Sequence, residues 1–502
     1  MLKGSKRIFN NFEQRNFKLL FEIVNYRNLV TLAKNLPNLL LKRRRLIVFF
    51  IFTLTVLVSF SILKNTSDYN NITEYYFEDV TKIKVAEYER LKNDHDLDTS
   101  FYNEEYNKYS QIKANYKYKK DNSNSFIKIV LNNTRRRQDV RKNTYSIMEY
   151  TKVFEKNKFC GHQSNELYVN ECKYKNCYFT CEKNETSSAD ALLFHESDLK
   201  MIIKNNGKKI LDLVNQRENK SDQIWILWND EANKVPALIN TIIFNWTLSY
   251  RLDAEISDCA YGCAYKRPLQ KENSNYKAFL DELRVNYNRR RTSSIWFVSN
   301  CISYYRIEFA LDFSQYFPTN ILGDCAPSIS LMKKYGFKPK SFIGKIIFPI
   351  YNLLYKIKCD KGSSCEINTL MNSKFYLSFE SKNCSFYITE KFWSILRLGL
   401  IPVVIQPSKV FYEYIAPKDS FIHAEDFNFN PQKLAAYMNR VSNDFNLYSK
   451  YLLWKFNDNI AHSSRNCEGR RLCELCTKLN EETSKIYYKN TAEWFNNDCK
   501  IN

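Results

Sequence analysis

The chain has 502 residues, 44% hydrophobic and 26% charged, which is room for two or three domains with a sizeable core. Its formal charge of +21 invites a nucleic-acid reading. Residues 1–45 hold eleven Lys and Arg against Glu13 and Glu22, the rest of the surplus is diffuse, and no compact nucleic-acid motif appears, so a basic membrane-tethered nucleic-acid binder is the least favoured reading.

In chain order, residues 1–45 read as a short basic tail. "LIVFFIFTLTVLVSFSIL" (Leu46–Leu63) then runs eighteen residues without a charge. That length crosses a bilayer at the short end of the range, and "KRRR" (Lys42–Arg45) before it predicts a cytoplasmic amino terminus. Residues 46–63 are therefore expected to anchor the chain in a membrane, with the bulk on the far side. Residues 64–155 contain no Pro and no Gly and are rich in Lys, Glu, Tyr and Asn, the texture of an extended stem. The run "TRRRQDVRK" (Thr134–Lys142) reads as a solvated face of it. All fifteen cysteines lie at or beyond Cys160, as in a secretory-pathway domain stapled by disulfides, and the odd count leaves at least one thiol unpaired within the chain. The "CELC" pair (Cys473, Cys476) fits disulfides better than zinc, because no second pair at zinc spacing lies close.

From residue 156 short apolar runs alternate with helical patterns in two blocks. "ADALLFHESDL" (Ala189–Leu199), "QIWILWND" (Gln223–Asp230) and "FNWTLSYRLDAEIS" (Phe244–Ser257) read as strands ending on polar groups, a first α/β domain over 156–290. "SSIWFVSNC" (Ser293–Cys301), a helix holding Arg306, and "NILGDC" (Asn320–Cys325) open a second over 291–460. Residues 461–502 form a Cys-containing terminal segment. Within the second block, "FYLSFESKNCSFYITEKFWSILRLGLIPVVI" (Phe375–Ile405) alternates as a strand, ends on Glu380, crosses a polar loop and restarts at Glu390 and Lys391 with helical spacing. Gly399 stands where that helix should stop. The predicted class is α/β, two doubly wound Rossmann-like domains facing a cleft. No Gly-rich phosphate loop is present, so phosphate charge must be met by side chains and a helix start. "DHDLD" (Asp94–Asp98) lies in the stem with no strand before it, so no metal site and no divalent requirement are expected.

The Phe375–Ile405 stretch resembles the donor-binding signature of the α1,3-fucosyltransferase family, with its F-E, Y-x-T-E-K and G-x-x-P-V elements in order. "ADALLFHESDL", "FNWTLSYRLDAEI", "WFVSNC" followed by Arg306, and "LCELC" are similar to that family too. The resemblance implies a GT-B-like fold, GDP-fucose as donor, and inverting transfer to a GlcNAc-containing glycan or glycoprotein through an α1,3 linkage. It also implies a single-pass type II Golgi membrane protein with a luminal catalytic domain. On this reading 156–290 is the acceptor side and 291–460 binds GDP-fucose. Arg306 and Lys391 correspond to positions associated with the pyrophosphate, Glu390 to stabilisation of the fucosyl cation, Glu380 to a ribose or fucose contact, and Tyr387 to packing on the donor. In the family the base lies shortly before F-N-W-T; "WNDEANKVP" offers Glu231 first and Asp230 as the alternative. Asp253 and Glu255 are expected to order a loop, and His195 either to face the cleft or to serve the core. Three positions depart from the family: Ser381 for Asn, Phe386 for an acid, and Ile405-Gln406 for Gly. The acceptor-side E-S-P is also altered. A protein O-fucosyltransferase and a catalytically silent GDP- or glycan-binding homologue remain alternatives.

Overall fold

The computed structural model describes residues 113, 128–131, 143–160, 172–217, 222–266, 274–335, 359–360, 362–462, 465–482 and 484–500. The expected anchor at 46–63 and most of the expected stem, "DHDLD" included, lie outside them; no described helix is long and apolar enough to cross a membrane.

The elements run β1 (Lys128–Leu131), β2 (Tyr145–Glu149), β3 (Cys177–Thr180), β4 (Ala191–His195), α1 (Glu196–Arg217), β5 (Ile224–Trp228), β6 (Trp246–Leu248) and β7 (Gly262–Lys266). Then follow α2 (Ser274–Arg289), β8 (Arg291–Phe297), α3 (Tyr304–Phe313), β9 (Thr319–Leu322), α4 (Ala326–Tyr335), α5 (Ser364–Met371), β10 (Ser373–Leu377) and β11 (Asn383–Cys384). The last part holds α6 (Glu390–Arg397), β12 (Ile401–Val404), α7 (Lys409–Ile415), β13 (Ile422–His423), α8 (Pro431–Asn443), α9 (Phe445–Lys450), β14 (Asp458–His462), α10 (Arg465–Glu481), β15 (Lys485–Tyr488), α11 (Thr491–Asn496) and β16 (Cys499–Lys500).

Two five-stranded sheets, β3-β2-β4-β5-β6 and β13-β12-β10-β8-β9, carry the architecture, and every pairing within them is parallel. Parallel strands are buried on both faces, so they read as unbroken apolar runs. "ALLFH", "IWILW" and "IPVV" are buried at every residue for this reason. Each sheet has its first strand flanked by its second and third, so the order reverses between β2 and β4 and between β8 and β10. In such sheets ligands bind beyond the strand carboxyl ends at the reversal. The topology therefore locates two loop pairs of interest: those after β2 and β4, and those after β8 and β10.

Two expectations about boundaries need revision. β2 pairs with both β3 and β4 and so belongs to the first sheet, although Tyr145–Glu149 falls within the segment read as stem. The terminal segment also returns to the first lobe: Trp494 and Phe495 of α11 join the core around Trp225 and Phe244, and Leu475 and Leu479 of α10 join the opposite face around Ile226. Cys172–Cys473 and Cys177–Cys476 bind α10 to that lobe, which is where the "CELC" pair goes. Closing loops of this length restricts the unfolded chain, by roughly 2–4 kcal/mol for each bridge.

Candidate active site

α6 starts the second-lobe half of the site. Its buried face is Phe392, Trp393, Ile395 and Leu396, and Gly399 ends it at φ +69°, a left-handed turn that favours glycine. Thr389 holds the N-cap position without capping. Its hydroxyl lies instead against Glu380, at 2.9 and 3.0 Å from the two carboxylate oxygens, while its backbone N–H donates at 2.8 Å. The first amides of α6 thus keep no side-chain cap, and the helix start stays available to an anion.

Glu380 is 1% exposed, and burial pushes its carboxyl up to about 7 against the pull of Lys391 and the Thr389 N–H. Arg306, near the start of α3, donates from Nη1 to the Phe379 carbonyl and from Nη2 to the Asn300 carbonyl, both at 2.8 Å. It therefore ties the loop after β10 to the loop after β8, across the reversal of the second sheet. Its Nε has no hydrogen-bond partner among the described residues, and burial lowers its pKa while the Glu380 charge raises it. The Lys391 ammonium sits 3.3 Å from Glu390 and 3.4 Å from the Thr389 hydroxyl, and is about one-third exposed. The Glu380 carboxyl thus feels the Lys391 charge, and its own charge acts on Arg306.

The departures from the family pattern are built into this half. Gln406 donates to the Glu380 carbonyl at 2.9 Å. The Ser381 side chain hydrogen-bonds Tyr387, and Phe386, at φ +61°, packs its ring against Phe411 and Tyr414.

The first lobe brings Glu231 to the same place. The residue follows β5, its N–H held by the Asn229 side chain at 3.1 Å, and its carboxylate takes no hydrogen bond from any described residue. Burial raises its pKa, and the charges of Asp230 and Glu390 raise it further, with Lys391 and His195 pulling the other way. A carboxylate after β5 thus feels the two charged residues at the start of α6. Three tyrosines fill the junction: Tyr387 lies 5.1 Å from Tyr250 and 5.9 Å from Tyr261 between ring centroids.

Asp230, the alternative base, is committed elsewhere. Its carboxylate accepts a two-pronged bond from Arg471 of α10, 2.6 Å on each side, and a third from the Trp228 indole at 2.6 Å. Three of its roughly four acceptor positions are taken, so the geometry favours Glu231 as the usable neighbour. Asp253 is likewise gripped by Arg251, and Glu255 accepts from the N–H and hydroxyl of Thr247 and from Tyr488, as expected for loop-ordering acids. His195 ends β4, donates or accepts at Nδ1 against Asp198 at 2.5 Å, and lies edge-on to Phe154 and Trp228. It is both anchored and near enough to influence Glu231.

Sequence reasoning missed Arg471, Tyr250 and Tyr261. Arg471 is 241 positions from Asp230 and no local pattern links them. Tyr261, whose hydroxyl donates to the Asp230 carbonyl, sits in an irregular loop, though its placement between two cysteines was a visible hint. A chamber of about 750 Å³ adjoins the tyrosines, with Tyr250, Tyr261 and Trp393 in its wall; Glu231 and Lys391 lie outside its lining.

Two parallel-sheet lobes that pack through tyrosines beside charged groups at their strand ends define an α/β protein of the kind that binds ligands beyond the strand carboxyl ends. Residues 287–494 match the model for glycosyltransferase family 10 (fucosyltransferase), C-terminal part, and residues 142–262 match the fucosyltransferase N-terminal model. The chain belongs to this family. Glycoprotein 3-alpha-L-fucosyltransferase A of Drosophila melanogaster is 26% identical over 65% of this chain, and Alpha-(1,3)-fucosyltransferase 4 of Mus musculus 27% identical over 57%. The chain spans 55% and 58% of the length of these two relatives. A crystal structure of an α1,3-fucosyltransferase with GDP-fucose aligns at 15% identity over 68% of this chain and 91% of its own, with a TM-score of 0.36, too low to carry an argument.

Proposed function

We propose that the chain is an inverting glycosyltransferase that moves L-fucose from GDP-fucose to a hydroxyl of a GlcNAc-containing glycan through an α1,3 linkage, on a GT-B-like frame. The observation that carries the reading is the packing of Ala232, Tyr250 and Tyr261 of the first lobe against Tyr387 of the second, which sets Glu231 within the field of Glu390 and Lys391. Family membership and the names of the relatives support fucose transfer and the α1,3 linkage; the donor and the acceptor class follow from the resemblance of the Phe375–Ile405 stretch and its companion motifs.

Transfer needs a base for the acceptor hydroxyl and positive charge for the departing diphosphate. Glu231, with no described hydrogen-bond donor and a raised pKa, is suited to take the acceptor proton as the hydroxyl oxygen attacks the fucose anomeric carbon. The bond from that carbon to the diphosphate breaks, and GDP leaves with the electron pair. Lys391, Arg306 and the uncapped start of α6 face the charge that GDP gains. Arg306 reaches it by exchanging its carbonyl partners for phosphate oxygens, with its unpartnered Nε as the first available donor. Glu390 lies beside Lys391 to stabilise positive charge on the sugar, Glu380 is the ribose or fucose contact, and Tyr387 packs on the donor. Anchoring through residues 46–63 in the Golgi membrane, catalytic domain luminal, completes the reading.

The test is a transfer assay with purified full chain, GDP-fucose and a small panel of GlcNAc-terminated glycans and acceptor proteins. Turnover that is lost in Glu231→Gln with GDP binding retained supports the proposal. GDP binding with no turnover on any acceptor in the unaltered protein overturns it.

A further inference from the structure

Six pairs account for twelve cysteines: 160–181, 172–473, 177–476, 301–325, 359–365 and 384–499. The other three, Cys259, Cys263 and Cys467, come together, with their sulfurs all within 4.8 Å of one another. Cys259 is the common member. Its Cα lies 5.0 Å from that of Cys263 and 5.2 Å from that of Cys467, and both separations suit a disulfide. One sulfur forms one disulfide, so either partner excludes the other and the third residue is a thiol.

We propose that these cysteines form a thiol–disulfide exchange site in which Cys259 alternates between Cys263 and Cys467. The thiolate of Cys263 attacks the Cys259 sulfur of the Cys259–Cys467 bond. That bond breaks, a Cys259–Cys263 bond forms, and Cys467 leaves as the thiolate, which takes up the proton that Cys263 gave. No oxidant or reductant is consumed. The chemical class that the site accepts from outside is a soft electrophile or a low-molecular-weight disulfide.

The surroundings fit this chemistry. Cys259 stands at φ +54°, a turn that folds the loop "CAYGC" back on itself and brings Cys263 round to it. Cys259 and Cys263 line the chamber between the lobes, and Cys263 is the least buried of the three, so a reagent in the chamber meets it first. Cys467 opens α10, whose next turn carries Arg470 and Arg471, holding Asp258 and Asp230. Pairing with Cys467 fastens that turn covalently to the loop. Pairing with Cys263 leaves it held by its ion pairs and by the bridges further along the helix. The exchange therefore alters the tether of the arginine that fixes Asp230, one residue from Glu231.

The test is a thiol map of the purified full chain. The protein is unfolded without reductant in excess N-ethylmaleimide at mildly acidic pH, where exchange is slow and free thiols are still captured, and the remaining cysteines are then reduced, labelled with iodoacetamide and assigned by peptide mass spectrometry. The expected result is about one N-ethylmaleimide adduct per chain, divided between Cys263 and Cys467, with Cys259 free of that adduct. Cys263→Ser and Cys467→Ser are each expected to lose the label altogether, since each pins Cys259 to one partner. Label confined to one residue, or found on Cys259, overturns the exchange. Full labelling of all three beside stoichiometric zinc in the native protein makes the cluster a metal site and overturns it as well. So does a complete absence of label with a disulfide-linked dimer on a non-reducing gel. None of these readouts depends on fucose transfer.

Discussion

The two lobes treat buried charge differently. In the first, acids are matched with distant bases: Asp230 with Arg471, Asp258 with Arg470, and Glu474 with Lys113. In the second, Glu380 is held by a threonine and Arg306 by two carbonyls, neutral partners in every case. A buried ion matched by an opposite charge is part of the scaffold, and removing one side leaves the other stranded. Buried ionisable groups whose hydrogen bonds all come from neutral dipoles are left with charge to offer, and here two of them sit either side of the reversal in one sheet, within each other's field. The first lobe thus uses its charges to hold shape, with Glu231 as the exception, and the second keeps its charges for a ligand.

The sharpest way to break this contrast is at Glu231. Glu231→Gln should lower kcat by roughly 10²–10⁴-fold with little change in affinity for GDP, measured by steady-state kinetics and titration calorimetry. The rate of the unaltered protein should rise with pH through a midpoint above the ordinary carboxylate range, because burial, Asp230 and Glu390 all favour the protonated acid. A midpoint at or below that range would remove Glu231 from its place. Next is Asp230→Asn, which strands the buried Arg471. It should cost roughly 3–5 kcal/mol of stability in a denaturant melt, and its effect on transfer should follow folding rather than pH. A fully folded but inactive variant would make Asp230 the chemical residue instead.

Gly262→Ala tests the junction itself. A Cβ there would fall 2.2–2.6 Å from atoms of the Trp393 side chain on α6, so overpacking of about 1–3 kcal/mol is expected, visible as a lowered melting temperature. The most conditional effect, absent at low pH, is expected at Glu380. Its pKa is higher folded than unfolded, so between the usual carboxylate value and about 7 the folded protein holds a proton that the unfolded chain has lost, and stability falls as pH rises. Glu380→Gln should flatten that decline, which runs at up to about 1.4 kcal/mol per pH unit within the window, with no gain at low pH. Melting curves across pH settle it; a variant whose loss of stability grows as pH rises would mean that the carboxylate is matched by charge after all.

This contrast also explains what was legible in the sequence. The second-lobe half comes from one continuous strand, loop and helix, so Glu380, Tyr387, Glu390 and Lys391 could be placed together from spacing and resemblance. Arg306 needed only the next strand. The first-lobe half depends on contacts closed across the chain. Nothing within "WNDEANKVP" distinguishes Asp230 from Glu231; the distinction is made by Arg471 in the terminal helix. The strand at Tyr145–Glu149 was hidden by its Gly- and Pro-free, polar surroundings, although its "YSIME" ends on an acid just as the Phe375 strand does. Asn245 gives a further case. It heads an N-W-T glycosylation sequon, yet its side-chain oxygen accepts from the Trp225 N–H at 2.9 Å and its amide donates to the Ile486 carbonyl at 3.1 Å, so in the folded chain it serves as a splice between strands.

The final strand has a mechanical consequence. β16 pairs with β11, and Cys384–Cys499 bolts the two together five residues ahead of Thr389, while α11 just before β16 is embedded in the opposite half. With the polypeptide also crossing between β7 and β8 and returning near β14, the halves are laced at three points. A wide, book-like swing would strain all of these seams at once.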